Sequence, residues 1–155
     1  MRILVFGATG MLGHTVFKFL NQTNHNIECY GSIRNKKDEE LFDIHFSKNL
    51  RIFDGFNNLD KLEKFIKKVE PQVILNCIGL IKQRDNSENQ PEAIFINSLL
   101  PHQISKVCNE LGIRLIHFST DCVFSGSKGN YKESDLPDAR DIYGLSKFMG
   151  EINNK

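Results

Sequence analysis

Residues 2–13, RILVFGATGMLG, decide the fold of this chain. The first five form a compact apolar run that suits a buried parallel strand near the centre of a sheet. Gly7, Gly10 and Gly13 follow at once, and an amphipathic run begins among them. A tight turn favours residues without a Cβ, and the N–H groups that open a helix attract an anion. The stretch therefore predicts a strand, a glycine-rich turn that binds a pyrophosphate, and a helix.

The rest of the chain alternates β-rich runs with longer amphipathic ones. The predicted strands are Arg2–Phe6, Ile27–Tyr30, Arg51–Phe53, Gln72–Ile78 and Arg114–Phe118. The predicted helices are Met11–Leu20, Leu59–Val69, Pro91–Leu111 with a break at Pro101, and a last one that begins near Ile142. The mixed composition of Lys36–Leu50 predicts no element. This order predicts an α/β fold with a doubly wound parallel sheet, which binds ligands at the carboxyl ends of its strands.

Length and charge exclude several classes of protein. A chain of 155 residues suits one domain, residues 1–155. Lys and Arg number 20 against 19 Asp and Glu, so no broad cationic surface is available for nucleic acid or a membrane. We expect a cytoplasmic protein, because the start is not that of a signal peptide and no run of about 18 apolar residues occurs. The four cysteines lack metal-site spacing, so neither a metal site nor a disulfide is predicted.

The residues after the second strand indicate which dinucleotide binds. An acidic residue there would accept hydrogen bonds from the adenosine ribose, whereas a basic one would pair with a 2′-phosphate. The sequence has Ser32 and Arg34, and a guanidinium can grip a phosphate through two parallel hydrogen bonds. NADP(H) is therefore preferred, with NAD(H) left open. The alternative is a solvated loop in which Arg34, Lys36 and Lys37 are balanced by the acidic run 38–40.

A tyrosine and a lysine four residues apart are candidates for proton transfer. Tyr143 and Lys147 in YGLSK would share one face of a helix, where an ammonium ion favours the phenolate. Thr120, which ends the strand RLIHFST, could hold the same reacting oxygen. Such a pair is more often an ordinary feature of an amphipathic helix, so its partners in the sequence decide its weight.

Several motifs together resemble the extended short-chain dehydrogenase/reductases. They are GATGMLG from Gly7, NCIG at 76–79, FIN ending at Asn97, STDCVFSG from Ser119 and IYGLSKFMGE from Ile142. Within that superfamily, STDCVFSG followed by YKESDLPDARDIYGLSK is most similar to the dTDP-4-dehydrorhamnose reductase family and its sugar-nucleotide relatives. The resemblance covers nearly the whole chain.

The resemblance implies a role for each matching residue. Tyr143 would be the catalytic acid/base, Lys147 its partner and a ribose contact, and Thr120 the hydroxyl that positions the carbonyl, with Ser119 as an alternative. Asn97 matches a helix asparagine of the family, and the alternative is a residue that only bonds backbone. The full predicted cofactor-binding set is Gly7, Thr9, Gly10, Met11, Leu12, Gly13, Ser32, Arg34, Asp54, Cys77, Ile78, Gly79, Asn97, Tyr143 and Lys147.

The implied activity is NADPH-dependent reduction of a 4-keto sugar nucleotide in deoxysugar or cell-surface polysaccharide biosynthesis. Family dehydratases place an acidic pair after the threonine, whereas here Asp121 is followed by Cys122, whose thiol is a poor replacement for a carboxylic acid. Two alternatives remain open: an epimerase that holds NAD, and a non-catalytic NADP-binding regulatory subunit.

The end of the chain sets a further expectation. Family members continue for about as long again after the catalytic lysine, so we expect the substrate-binding lobe to be absent and residues 1–155 to be inactive by themselves. The last helix should fray at its end. For a full-length form the family implies a homodimer.

Overall fold

The computed structural model describes residues 1–23, 26–81 and 89–152. Its strands are β1 (Arg2–Phe6), β2 (Glu28–Ile33), β3 (Leu50–Ile52), β4 (Val73–Asn76) and β5 (Arg114–His117). Its helices are α1 (Met11–Thr23), α2 (Leu59–Val69), α3 (Gln90–Ile94), α4 (Leu100–Leu111) and α5 (Ile142–Met149). None of the helices in these ranges has the length and apolarity needed to cross a membrane.

The strands form one parallel sheet in the order β3-β2-β1-β4-β5. The expected doubly wound α/β fold is confirmed, and β1 lies at the centre as its apolar run predicted. Alternate residues of β1 point to opposite faces of the sheet. Ile3 and Val5 belong to the core that Phe17 of α1 completes. On the other face, the Phe6 ring contacts Phe56 at a centroid distance of 5.2 Å.

The stretch without a predicted element holds two 3₁₀ helices, Lys36–Leu41 and Ile44–Asn49. They are anchored by Phe42 and Phe46, which are buried against the core of β1 and α1. Burying such a side chain is worth about 1.5–3 kcal/mol, and hydrophobic periodicity does not reveal such anchors in short 3₁₀ segments.

The predicted helix break at Pro101 was wrong in position. Pro101 lies in the first turn of α4, and the irregularity is a π-helical turn at Phe95–Leu99 just before it. A proline has no N–H to donate to the carbonyl four residues earlier, here that of Asn97. The wider turn accommodates this, with the Leu100 N–H bonded to the Phe95 carbonyl.

The chain divides into two compact units, residues 1–78 with 103–117 and residues 79–102 with 118–155. The first contains all five strands, and the second contains α3 and α5. The last helix ends at Met149, where the Gly150 N–H bonds the Ser146 and Lys147 carbonyls, so its described end is closed by hydrogen bonds and not frayed. Residues 153–155 lie outside the described ranges.

Candidate active site

The glycine turn after β1 is built from backbone packed against backbone. Gly7 has φ +78°, a conformation that side-chain-bearing residues rarely adopt, and a Cβ there would lie 3.0 Å from Ile78 Cγ1. A Cβ on Gly13 would lie only 2.1 Å from the Gly7 carbonyl oxygen. Gly10 is less confined, since its nearest neighbour would be 3.4 Å away. The first turn of α1 therefore sits directly on the chain that leaves β1.

The N-terminal end of α1 is open to solvent. Thr9, Met11 and Leu12 are exposed, and the Met11 side chain is 90% exposed. Unpaired N–H groups at such an end favour an anion. This part of the predicted cofactor-binding set is accessible to a pyrophosphate.

Ser32 and Arg34 have different surroundings from each other. Ser32 is only 3% exposed, and its Oγ accepts a hydrogen bond from the Gly7 N–H at 3.2 Å. Its oxygen therefore supports the glycine turn, and the side chain is buried beneath that turn. Arg34 is exposed, and its guanidinium makes no hydrogen bond or ion pair within the described part of the chain.

The acidic residues after Arg34 do not neutralise it. Asp38 Oδ2 accepts hydrogen bonds from the backbone N–H groups of Arg34 and Asn35 at 3.0 and 3.2 Å. Glu39 pairs with Lys36 at 2.8 Å. Charge balance by the acidic run, the alternative given above, is therefore seen for Lys36. The Arg34 guanidinium remains available to bind a phosphate.

The remaining predicted cofactor contacts of the first unit follow β3 and β4. Asp54 is exposed after β3. Cys77 donates its N–H to the Phe6 carbonyl at 3.1 Å, and burial raises the pKa of its thiol to about 11. Ile78 lies against Gly7. Cys77 and Ile78 therefore form one wall of the glycine turn.

In the second unit, α5 carries Tyr143 and Lys147. Asp141 caps the helix by accepting the Gly144 N–H at 3.0 Å. Gly144 packs on the turn after Thr120, where a Cβ would come within 2.3 Å of the Cys122 carbonyl oxygen. Lys147 is 5% exposed, and its Nζ donates to the Phe118 carbonyl at 2.6 Å. Burial lowers the pKa of Lys147, while the charge of Glu151 raises it.

Thr120 and Ser119 are held differently. Thr120 Oγ1 caps the short 3₁₀ turn Asp121–Val123 by accepting the Cys122 N–H at 3.2 Å. The Ser119 hydroxyl donates to Glu151 Oε1 at 2.5 Å. Both hydroxyls donate to a carboxylate, but the Thr120 bond to Asp121 Oδ1 is long, at 3.3 Å, so Thr120 is the better candidate for the carbonyl-positioning hydroxyl.

Asn97 is buried, and its side chain bonds backbone groups. This is the alternative given above to a cofactor contact. Its Oδ1 accepts the Leu80 N–H at 2.9 Å, and its Nδ2 donates to the Leu80 carbonyl at 3.0 Å and to Ser146 Oγ at 3.1 Å. Gly79 is exposed, and a Cβ there would meet Asn97 Oδ1 at 3.7 Å. Asn97 thus ties the segment after Gly79 to α5.

Tyr143 lines a pocket of about 230 Å³. The other lining residues are Leu80, Ile81, Ala93, Asn97, Asp141 and Ile142. A larger pocket, about 760 Å³, opens at the amino-terminal ends of β1 and β2, where Arg2 already pairs with Glu28 at 2.9 Å. Ligands of doubly wound sheets bind at the carboxyl ends of the strands, so the larger pocket is the poorer candidate.

Several site residues were missed by sequence reasoning. Gly144, Ser146, Gly150 and Glu151 stand in the quoted motif IYGLSKFMGE, which was the signal available for them, but spacing alone gave them no role. Among the described residues, no group of three or more His, Cys, Asp or Glu side chains could hold a metal ion.

The parallel sheet, the glycine turn after its central strand and a helix with Tyr143 and Lys147 define a dinucleotide-binding fold of the extended short-chain dehydrogenase/reductase class. A family model described as the RmlD substrate binding domain matches residues 1–153. The chain belongs to this family, and its predicted resemblance to dTDP-4-dehydrorhamnose reductases is confirmed.

Three known proteins are similar to this chain. Methionine adenosyltransferase 2 subunit beta of Bos taurus is 31% identical, with 97% of this chain matching 41% of that protein. The crystal structure of a hypothetical dTDP-4-dehydrorhamnose reductase from Sulfolobus tokodaii is 31% identical with a TM-score of 0.77, over 97% of this chain and 50% of that one. The Bacillus anthracis reductase in complex with NADP, 24% identical over 96% and 47%, has the same fold with a TM-score of 0.72. The chain thus spans half or less of each.

Proposed function

We propose that residues 1–155 form the NADP-binding domain of a reductase that acts on a 4-keto sugar nucleotide. The observation that carries this proposal is the geometry around α5. Lys147 is buried with its Nζ on the Phe118 carbonyl, two residues before Thr120, and Tyr143 stands one turn earlier on the same helix. A cation, a phenol and a hydroxyl on adjoining segments are the groups needed to protonate a carbonyl oxygen.

The residues of the first unit fit a dinucleotide phosphate. Gly7 and Gly13 allow the tight turn and the close packing of α1 on the chain after β1, and the less confined Gly10 leaves backbone that a pyrophosphate could approach. Arg34 has a guanidinium with no partner in the described ranges, which suits a 2′-phosphate. NADPH would supply the hydride when bound.

The chain's own side chains would handle the proton. Tyr143 would donate its phenolic proton to the substrate oxygen as that oxygen gains negative charge, and the Lys147 ammonium would favour the phenolate that remains. Thr120 would donate a hydrogen bond to the same oxygen and so fix its position. Related proteins of the same family are about twice as long, and we propose that their additional half selects the sugar.

NADPH oxidation with a panel of 4-keto sugar nucleotides tests the proposal. A protein that includes these residues and the additional half should turn over at least one of them. Tyr143→Phe should then lower turnover by about two to four orders of magnitude, the usual scale for a lost general acid, and should leave NADPH binding intact. Residues 1–155 alone should bind NADPH but give no turnover, because orientation of a substrate can account for about 7–11 kcal/mol of the barrier.

The similarity to methionine adenosyltransferase 2 subunit beta favours a second candidate, a regulatory subunit. In that case NADPH would bind without being consumed, and Tyr143→Phe would change nothing measurable. Normal turnover by Tyr143→Phe would contradict the role given to the phenol, and absence of turnover with every sugar nucleotide in the panel would favour the regulatory candidate.

A further inference from the structure

Lys147, in the last turn of α5, and Glu151, two residues after the helix, each bond one residue of the segment that leads to Thr120. The bonded residues are Phe118 and Ser119. Lys147 Nζ donates a hydrogen bond to the Phe118 carbonyl at 2.6 Å. Glu151 Oε1 accepts the Ser119 hydroxyl proton at 2.5 Å. Thr120 is the next residue, so the position of its hydroxyl depends on both contacts.

The backbone after α5 determines the position of the Glu151 side chain. The Gly150 N–H closes the helix on the Ser146 and Lys147 carbonyls at 3.2 and 3.1 Å. A Cβ on Gly150 would lie 1.9 Å from the Asn97 carbonyl oxygen, so only glycine allows this approach. The turn that follows directs Glu151 toward Ser119.

The negative charge of Glu151 also affects the pKa of Lys147. Burial disfavours the ammonium form of Lys147, and Glu151 opposes that effect by raising the pKa. The other carboxylates on the elements packed here are engaged elsewhere. Asp121 accepts the Thr120 hydroxyl at 3.3 Å, and Asp141 accepts the Gly144 N–H at 3.0 Å. Tyr143 is the remaining titratable side chain of α5, and His102 of α4 lies at the end of that helix, with its Nε2 2.8 Å from the Met149 carbonyl oxygen.

We propose that Glu151 is a positioning residue of the active site: through its hydrogen bond to Ser119 it holds the segment that carries Thr120 at the end of α5, and so keeps its own negative charge beside Lys147. The inference deepens the proposed function, since it assumes that Lys147 and Thr120 belong to a reductase site. Glu151 itself need not touch the substrate or the cofactor.

Direct titration of Lys147 in the 155-residue chain tests the electrostatic part without any activity. The ε-carbon of Lys147, labelled with ¹³C and assigned by its loss in Lys147→Met, reports the protonation midpoint by NMR. In Glu151→Gln the midpoint should fall by about one pH unit, because a nearby opposite charge has been removed. Ser119→Ala should lower it less, since the carboxylate loses its anchor but keeps its charge.

Glu133→Gln is the matched control, because Glu133 is an exposed carboxylate of the same unit. It should leave the midpoint unchanged. An unchanged midpoint in Glu151→Gln would overturn the proposal, whether or not the protein is a reductase. Where Glu151→Gln fails to fold, the same titration of Ser119→Ala decides, and a midpoint equal to that of the native chain then counts against it.

Kinetics of the longer enzyme test the positioning part. Glu151→Gln should lower kcat about tenfold with little change in KM for NADPH, and should move the alkaline limb of the pH profile to lower pH. Glu151→Asp, which keeps the charge, should restore that limb. Equal losses in both variants with an unmoved pH profile would mean that Glu151 has only a structural role.

Discussion

The glycine-turn region, residues 7–13 with 31–34, and the α5 region, residues 118–122 with 142–151, are organised by different contacts. In the first, backbone meets backbone, as in the approach of Gly13 to the Gly7 carbonyl. In the second, side chains bond groups that are distant in the sequence, as in the hydrogen bonds from the Ser119 hydroxyl to Glu151 and from Lys147 Nζ to the Phe118 carbonyl. Each region holds a different half of the predicted site.

The difference explains how each region tolerates change. A backbone contact requires the absence of a Cβ and is indifferent to the chemistry of the neighbours. A side-chain contact requires a particular partner many residues away, so one substitution can leave a buried group unpaired. The α5 region also contains backbone contacts, at Gly144 and Gly150. It therefore depends on both kinds of interaction.

The largest expected effect concerns Gly13 in the glycine-turn region. In Gly13→Ala the new Cβ would lie 2.1 Å from the Gly7 oxygen, so either α1 or the turn must move. We expect a loss of about 3 kcal/mol in the free energy of unfolding, measured by urea denaturation. Gly10→Ala is the matched control, with its nearest contact at 3.4 Å, and should change stability by less than about 0.5 kcal/mol. Equal losses in the two variants would refute the backbone explanation.

Arg34 tests whether the glycine-turn region also selects the cofactor. Arg34→Ala should weaken NADPH binding about ten- to hundredfold while leaving NADH binding nearly unchanged, because a charge-assisted hydrogen bond is worth about 1.5–3 kcal/mol. Lys37→Ala, an exposed cation three residues away, should have a much smaller effect. Calorimetric titration of both cofactors measures this. A native chain that binds NADH as tightly as NADPH would exclude the assignment.

Alkaline pH should affect buried groups of the two units in opposite directions. Burial raises the pKa of Cys29 from 9.0 to about 12, so the unfolded chain loses this proton first and stability falls as the pH rises above about 9. Burial lowers the pKa of Lys147 below 10.5, so Lys147 makes stability rise with pH up to that value. Relative to the native chain, Cys29→Ala should flatten the decline by up to about 1.4 kcal/mol per pH unit, and Lys147→Met should steepen it. Denaturation from pH 8.5 to 10.5 measures both slopes, and unchanged slopes would contradict the assignment.

Most helices and strands could be predicted, because the spacing of apolar residues that indicates them is read from neighbouring positions in the sequence. β1 and α2 have the predicted bounds, and Gly112 ends α4 with φ +66° as a C-terminal stop does. β2 extends three residues beyond its predicted end at Tyr30, since Gly31 fits beneath Ala8 and Phe17, where a Cβ would come within 2.8 Å of the Ala8 Cβ. The π-helical turn before Pro101 arises from a missing hydrogen bond, which hydrophobic spacing does not indicate.

The sequence by itself determined which residue types stand where dinucleotide chemistry needs them: glycines after the central strand, Arg34 after the second, and Tyr143 one helical turn before Lys147. Such local patterns depend on chain direction, side-chain size and helical spacing, all of which can be read from neighbouring residues. Only the tertiary structure decided that Ser32 is buried beneath Gly7, that Asn97 bonds Leu80 and Ser146, and that Glu151 holds Ser119. Those pairings join residues 17 to 49 positions apart, and a hydrogen bond across such a separation exists only after packing has brought both partners to within about 3 Å of each other.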